Sequence, residues 1–158
     1  MLIREGMSVI DNVTAILTDT RTGVTRTFTG HNTPLNYAFS AHAQWDAGVN
    51  NTGQNAVPTA LILSLGSGSG TPSVNDTGLF SPISGATANI SYVTANAPSV
   101  GTTTKVWQIG AGIVTQTVTE ALQTDVNGNA WYHTMFSSPF TPSSTETITI
   151  QWEDTFNA

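Results

Sequence analysis

The sequence predicts a mainly β domain, an antiparallel β-sandwich or jelly roll of seven to eight strands with one short helix at about 34–47. Threonine, which favours the pleated backbone, supplies 27 of the 158 residues, and 14 glycines with 12 asparagines supply turns. Only 9% of the residues are charged, whereas helix bundles and coiled coils depend on charged helix formers. Alternating apolar and polar segments recur about every 8–15 residues, which is typical of a sandwich.

The first element is a predicted hairpin. Residues 9–19 alternate, Asp19–Gly23 forms a turn and residues 24–29 return. We expect Val13, Ala15 and Leu17 to point inward. A two-stranded ribbon is marginal alone, so it must pack on the rest of the chain.

Residues 1–12 precede the first clear strand and are predicted to form an N-terminal arm that lies along a neighbouring subunit. Residues 13–158 then form a single β-sandwich domain, because no linker or internal repeat divides them.

A helix is predicted at 34–47. Thr33 and Pro34 have the pattern of an N-cap followed by proline in the first turn. Apolar residues follow at helical spacing, and Gly48 stands where a glycine ends a helix. The stripe comprises Leu35, Ala38, Phe39, His42 and Trp45.

Further strands are predicted at 59–65 and 86–95, separated by a Gly/Ser run at 66–70 and an irregular segment. Residues 105–119 are β-rich, but Gly110 and Gly112 predict a bulge or a bend there.

The last third contains the strongest hairpin signal, Asn127-Gly128 between two β-prone runs. Residues 145–156 alternate cleanly, so Ile148, Ile150 and Trp152 are expected to point inward. Asp125-x-Asn127-x-Asn129 resembles the start of a calcium loop, but it lacks the later glutamate and the flanking helices, so we interpret it as a turn.

Charge and composition exclude several classes of partner. Four basic residues against ten acidic ones give a net charge of −6, so we expect no binding to nucleic acid or to an anionic membrane. The chain has no cysteine, no apolar run long enough to span a bilayer and no signal-peptide pattern at its N-terminus.

No motif for catalysis, phosphate binding or metal binding is present. The Gly/Ser run at 66–70 does not give Gly-x-Ser-x-Gly, and no Gly-Lys-Thr/Ser occurs. His31, His42 and His133 are scattered along the chain without ligand-like spacing. The ten acidic residues leave a glycosidase formally open, but nothing pairs them. We therefore expect no enzyme activity, no cofactor, no metal and no poised acid–base pair.

Contact surfaces are the remaining candidates for function. Trp45 and Trp152 fall on inward-facing stripes, whereas Trp107 and Trp131 are candidates for interface anchors. His133 is expected to face solvent or an interface. The predicted interface residues are Leu2, Ile3 and Arg4 of the arm, with Trp107, Trp131 and His133.

The order of several short segments resembles a family of tailed-bacteriophage virion proteins associated with capsid decoration, tails or fibres. The segments are Asp19–Gly23, Asn32, Leu63–Gly70, Asp76–Phe80, Thr117–Leu122 and Thr147–Trp152. Gln123 departs from the pattern, because an aromatic residue is more common after Leu122 in that family. The resemblance implies a non-enzymatic structural role and homo-oligomers.

From this we expect a capsid decoration (cement) protein, a homotrimer on the outer surface of the major capsid protein shell. The alternatives are a tail, neck or fibre-base component of the virion, and a carbohydrate- or receptor-binding module. The last alternative predicts Trp107 or Trp131 exposed in a groove.

Overall fold

The first and last strands of the chain lie side by side, which closes the sheet into a barrel. The computed structural model describes residues 8–46, 61–96 and 101–157. The elements in these ranges are β1 (Ser8–Asp19), β2 (Thr25–Pro34), α1 (Asn36–Asp46), β3 (Leu61–Gly66), β4 (Pro82–Asn96), β5 (Gly101–Ile109), β6 (Val118–Asp125), β7 (Ala130–Phe140) and β8 (Glu146–Asn157). All the strand pairs are antiparallel, in the order β1-β2-β7-β6-β3-β4-β5-β8.

The mainly β class, the eight antiparallel strands and the short helix agree with the sequence prediction, but the sandwich or jelly roll is wrong. Because β1 pairs with both β2 and β8, one sheet closes on itself in place of two sheets that face each other. Alternation along a strand gives the same inward stripe in both architectures, so it cannot distinguish them.

The core fills the barrel with the residues that alternation placed inward. Val13, Ala15 and Leu17 of β1 have no exposed surface, and Ile148, Ile150 and Trp152 of β8 are at most 1% exposed. Trp107 of β5 meets Trp152 edge to face, with ring centroids 6.3 Å apart.

Both predicted hairpins are confirmed. β1 and β2 flank the Asp19–Gly23 turn, in which Asp19 Oδ1 accepts hydrogen bonds from the backbone N–H groups of Arg21 and Thr22. β6 and β7 flank Asn127-Gly128, and Gly128 has a φ of 81° that suits glycine. Gly110 and Gly112 lie in the connection 110–117, after β5 ends at Ile109 and before β6 begins at Val118. The predicted β-rich stretch 105–119 is therefore the end of one strand and the start of another, joined by a loop.

The helix begins two residues later than predicted. Thr33 and Pro34 belong to β2, where they pair with His133 and Tyr132 of β7, because the strand ladder extends to this point. Leu35 and Ala38 are buried as expected, but Phe39 is 51% exposed. The side chains of His42 and Trp45 lie outside the described residues. In the described ranges, no helix combines the length and the apolar character needed to cross a membrane.

Residues 8–12 of the expected arm belong to β1. Ser8 is opposite Asn157 and Asn12 is opposite Glu153, so the β1–β8 ladder runs the full length of both strands. This moves the boundary of the expected arm to residue 7. Residues 1–7 lie outside the described part of the chain.

Candidate functional site

A carboxylate without exposed surface lies at the centre of a polar cluster. Glu120 of β6 accepts hydrogen bonds through Oε1 from the backbone N–H groups of Gly68 (2.9 Å) and Ser81 (2.9 Å). Its Oε2 accepts one from the N–H of Phe80 (3.0 Å). One side chain therefore fixes both ends of the segment 67–81 against the barrel.

His133 of β7 continues the cluster. Its Nε2 lies 2.8 Å from Glu120 Oε2, and its Nδ1 lies 2.8 Å from Asp76 Oδ2. The ring has no exposed surface, and Phe80 packs on it with centroids 4.8 Å apart. Asp76, His133 and Glu120 form the tether, the name used below for this carboxylate–imidazole–carboxylate chain.

The geometry of the tether suits a structural role better than it suits proton transfer. A general base must reach the proton that it abstracts, and both ring nitrogens of His133 are already bonded to carboxylates. Burial alone raises the pKa of Glu120, but hydrogen bonds from Ser81, Phe80, His133 and Gly68 outweigh it and lower that pKa below its ordinary value. The negative form of Glu120 is therefore the one that the fold stabilises.

Two glycines in the run 66–70 allow the close approach that the tether needs. A Cβ on Gly66 would lie 2.4 Å from Glu120 Oε1, and one on Gly68 would lie 2.4 Å from the Cβ of Phe80. Any larger residue would displace the carboxylate or the segment above it. The run thus packs directly against the tether, which its Gly/Ser pattern alone did not indicate.

The β6–β7 turn is held by a second buried carboxylate, which confirms the interpretation of the Asp-x-Asn-x-Asn pattern as a turn. Asp125 Oδ1 accepts hydrogen bonds from the N–H groups of Asn127 and Asn129. Asp125 Oδ2 accepts from Asn129 Nδ2 (2.9 Å) and from Trp131 Nε1 (3.2 Å). Burial raises the pKa of Asp125 but these bonds lower it overall, and both oxygens are committed to the turn.

A pocket of about 330 Å³ lies between α1, the segment 73–77 and the β6–β7 turn. Its polar lining comes from Asn36, Tyr37, Asn75, Asp76, Thr77 and Asn129, and its apolar lining from Val74 and Ala130. Burial, then the nearby charge of Asp125, raises the pKa of Tyr37. The tether fixes one wall of this pocket, because Asp76 belongs to both.

A different polar cluster lies at Lys105. Its Nζ is 2.7 Å from Asp154 Oδ2 and 3.2 Å from Gln123 Oε1, and it lies 5.1 Å from the ring centroid of Tyr132. Among the described residues, the buried atoms Asp154 Oδ1, Gln123 Nε2 and Trp152 Nε1 have no hydrogen-bond partner. This cluster is called the lysine cluster below.

Three successive rows on the outer face of β2, β1 and β8 contain no charged residue, and the exposed Glu153 lies in the row beyond them. Cross-strand partners form three rows, Thr25–Thr18–Thr147, Thr27–Ile16–Thr149 and Thr29–Thr14–Gln151. All nine side chains are exposed or half-buried. We call these nine residues the threonine wall.

The structure corrects three of the predicted interface residues. Trp107 and His133 have no exposed surface and Trp131 is 5% exposed, so none of them presents a contact surface in this fold. Trp107 points into the barrel and donates its N–H to the carbonyl of Leu61, and Trp131 packs against Tyr37. Leu2, Ile3 and Arg4 lie outside the described residues.

The expectation that the chain has no buried acid–base pair is also wrong. His133 contacts Glu120, 13 residues away, and Asp76, 57 residues away. Glu120 was not predicted from the sequence. The one signal for a buried carboxylate there is that Glu120 lies beside the apolar pair Ala121-Leu122 in a β-prone run. Among the described residues, no group of three His, Asp or Glu side chains is arranged to hold a metal ion.

Neither a protein-family model, nor a curated protein, nor a solved structure matches this chain.

Proposed function

We propose that this chain is a non-enzymatic structural protein of a tailed-bacteriophage virion. In this proposal it is a capsid decoration protein that binds the outer surface of the major capsid protein shell as a homotrimer. The observation that carries the proposal is the threonine wall, a broad neutral surface on a rigid support.

The composition of the wall suits a large contact area. Seven of its nine side chains are threonines, and the other two are Ile16 and Gln151. An interface of hydroxyl and methyl groups avoids the cost of removing ions from water, which opposes the burial of charged side chains. The closed barrel also leaves no free edge strand within the described sheet, so association through this face does not compete with edge-to-edge pairing.

Three of the segments that carry the resemblance meet in the tether. Leu63–Gly70 supplies Gly66 and Gly68, Asp76–Phe80 supplies Asp76 and the N–H of Phe80, and Thr117–Leu122 supplies Glu120. In this proposal the three segments occur together because they contact one another in the fold.

The Glu120–His133 pair means that the chain contains a buried acid–base pair, contrary to the expectation from the sequence. His133 is nevertheless enclosed and hydrogen-bonded through both ring nitrogens, so its imidazole has none left for a substrate. The described cations do not form a basic patch either. Lys105 is paired with Asp154 and Arg26 is bonded to Glu146, which leaves Arg21 as the one described cation without a close ion pair.

The test is binding to phage particles that lack this chain. We expect Thr27→Glu/Thr149→Glu, which places like charges on the wall, to reduce the number of copies bound per particle at least tenfold. Thr94→Glu on β4, also an exposed threonine, serves as the matched control and should bind as the unaltered chain does. Equal occupancy of the wall variant and the control would reject the wall as the contact surface.

Copy number separates the capsid from the tail. Hundreds of copies per purified particle are expected for a decoration protein, whereas a few to a dozen would assign the chain to the tail, neck or fibre base. Deletion of residues 1–7, which leaves β1 complete, is expected to lower occupancy if these residues form the proposed arm.

A further inference from the structure

We propose that the 330 Å³ pocket between α1, the segment 73–77 and the β6–β7 turn binds a single neutral sugar residue. This inference does not depend on the virion assignment. It also differs from the carbohydrate alternative predicted from the sequence, because the tryptophans on which that alternative depended are buried.

The size and charge of the pocket narrow the class of ligand. Sites for small molecules span roughly 300–1,000 Å³, so this pocket is at the lower limit and suits one ring. No lysine or arginine lines it, and its one charged residue is Asp76, so phosphates and carboxylates lack a counter-charge. Tyr37 is the one aromatic residue in the lining, so a planar base would have at most one aromatic stacking partner there.

The hydrogen bonds within the lining determine which atoms remain available. A carboxylate accepts and does not donate, so the contact with Asp125 requires that the amide nitrogen of Asn129 faces Asp125 and that Asn129 Oδ1 is left as an acceptor. Asp76 Oδ2 is occupied by His133 and by the N–H of Ser73, whereas Asp76 Oδ1 has no hydrogen bond among the described residues. Both atoms belong to side chains held in place by other contacts.

The opposite side of the pocket adds a donor and a hydroxyl group. Asn75 Oδ1 accepts from Asn36 Nδ2 at 2.8 Å, which leaves the Asn75 amide N–H groups free to donate. Thr77 adds a hydroxyl that makes no hydrogen bond within the described residues. A sugar ring carries a donor and an acceptor at each hydroxyl, so it can satisfy fixed acceptors on one side and donors on the other. Its C–H groups would contact Val74 and Ala130.

The tether makes this pocket preorganised. Asp76 is held by His133, and His133 is held by Glu120. The segment 73–77, which lines one side of the pocket, therefore does not have to become ordered when a ligand binds. Preorganisation reduces the entropic cost of binding, which matters most for a small ligand with few contacts.

The experiment is titration of the isotope-labelled full chain with glucose, galactose, mannose and N-acetylglucosamine, followed by NMR chemical shifts. We expect at least one sugar to shift the signals of Tyr37, Thr77 and Asn129 with a Kd on the order of 1 mM, which three or four net hydrogen bonds supply. Thr77→Val should weaken binding roughly threefold to tenfold.

Thr71→Val, six residues before Thr77, is the matched control for Thr77→Val. Thr71 is exposed and does not line the pocket, so Thr71→Val should bind as the unaltered chain does. Asn75→Ala provides a second pocket variant with an expected loss similar to that of Thr77→Val. The proposal is overturned if no sugar shifts these signals up to about 50 mM, or if Thr77→Val and Asn75→Ala bind as tightly as Thr71→Val. It is also overturned if calcium chloride or methylammonium shifts the pocket signals and the sugars do not, because the site would then select cations through Asp76.

Discussion

The tether and the lysine cluster each bury a carboxylate, but they satisfy it in different ways. Both oxygens of Glu120 are bonded, and three of the four donors are backbone N–H groups. Asp154 is bonded through one oxygen to Lys105, and its other oxygen has no partner among the described residues. A buried network in which every polar group is hydrogen-bonded holds its side chains in one arrangement. A buried ion pair that leaves polar atoms without partners can often be replaced by apolar side chains at little cost in stability.

The difference arises from where the partners come from. Three of the four donors to Glu120 are backbone N–H groups, which any substitution other than proline leaves in place. These groups require an acceptor whenever the segment 67–81 packs on the barrel. The partners of Asp154 are side chains, so both sides of that interaction can be removed together.

The largest effect is expected for Glu120→Ala. The change leaves three backbone N–H groups and His133 Nε2 without an acceptor, so the free energy of unfolding should fall by about 4 kcal/mol in urea denaturation. Glu153→Ala, at an exposed carboxylate, is the control and should change it by less than about 0.5 kcal/mol. A loss below about 1 kcal/mol for Glu120→Ala would show that the tether contributes little to stability.

A somewhat smaller loss is expected for Lys105→Met. The substitution leaves Asp154 buried without its cation, and we expect the free energy of unfolding to fall by about 3 kcal/mol. Arg21→Met is the control, because Arg21 is 73% exposed and its contact with Asp19 is long, at 4.0 Å. The same small change in both variants would contradict the view that the lysine cluster is a buried ion pair.

The tether should also make the fold sensitive to acid. Because hydrogen bonds hold the pKa of Glu120 below its ordinary 4.5 in spite of burial, its contribution to stability is complete above that pH. This contribution is lost as the pH falls through the lower pKa of the folded state. Glu120→Gln should therefore flatten the dependence of the unfolding free energy on pH below about 4.5.

Part of the acid dependence should remain in Glu120→Gln, since the pKa values of Asp19, Asp125 and Glu146 are lowered as well. Glu153→Gln is the control and should keep the full slope. An unchanged slope in Glu120→Gln would mean that Glu120 binds protons equally in the folded and unfolded states.

The smallest change in stability is expected when both members of the lysine cluster's ion pair are replaced together. Lys105→Met/Asp154→Leu replaces both partners with apolar groups, and we expect its unfolding free energy to stay within about 1 kcal/mol of the unaltered chain. The corresponding pair in the tether, His133→Phe/Glu120→Leu, should remain destabilised by about 4 kcal/mol, because the backbone donors stay without an acceptor. Thermal or urea unfolding measures both, and equal losses would remove the distinction between the two clusters.

Sequence reasoning predicted the strands well and the candidate site poorly. The inward stripe of β1 and the turn at Asn127-Gly128 depend on neighbours a few residues apart, and both are confirmed. Trp107 and Trp131 were misassigned because an aromatic residue serves equally well in a core and at an interface. The start of α1 was wrong because the pairing of Pro34 with Tyr132 outweighed the local capping pattern.

Local sequence patterns suffice to predict most strands and turns of this protein, since period-two burial and turn chemistry act over short distances. The tertiary structure alone decided that the sheet closes and that Asp76, Glu120 and His133 meet. Closure depends on which strands become neighbours, and β1 and β8 are at opposite ends of the chain. The site depends on the same pairing, because the strand register and the packing of the segment 67–81 bring residues that are distant in sequence into hydrogen-bond range.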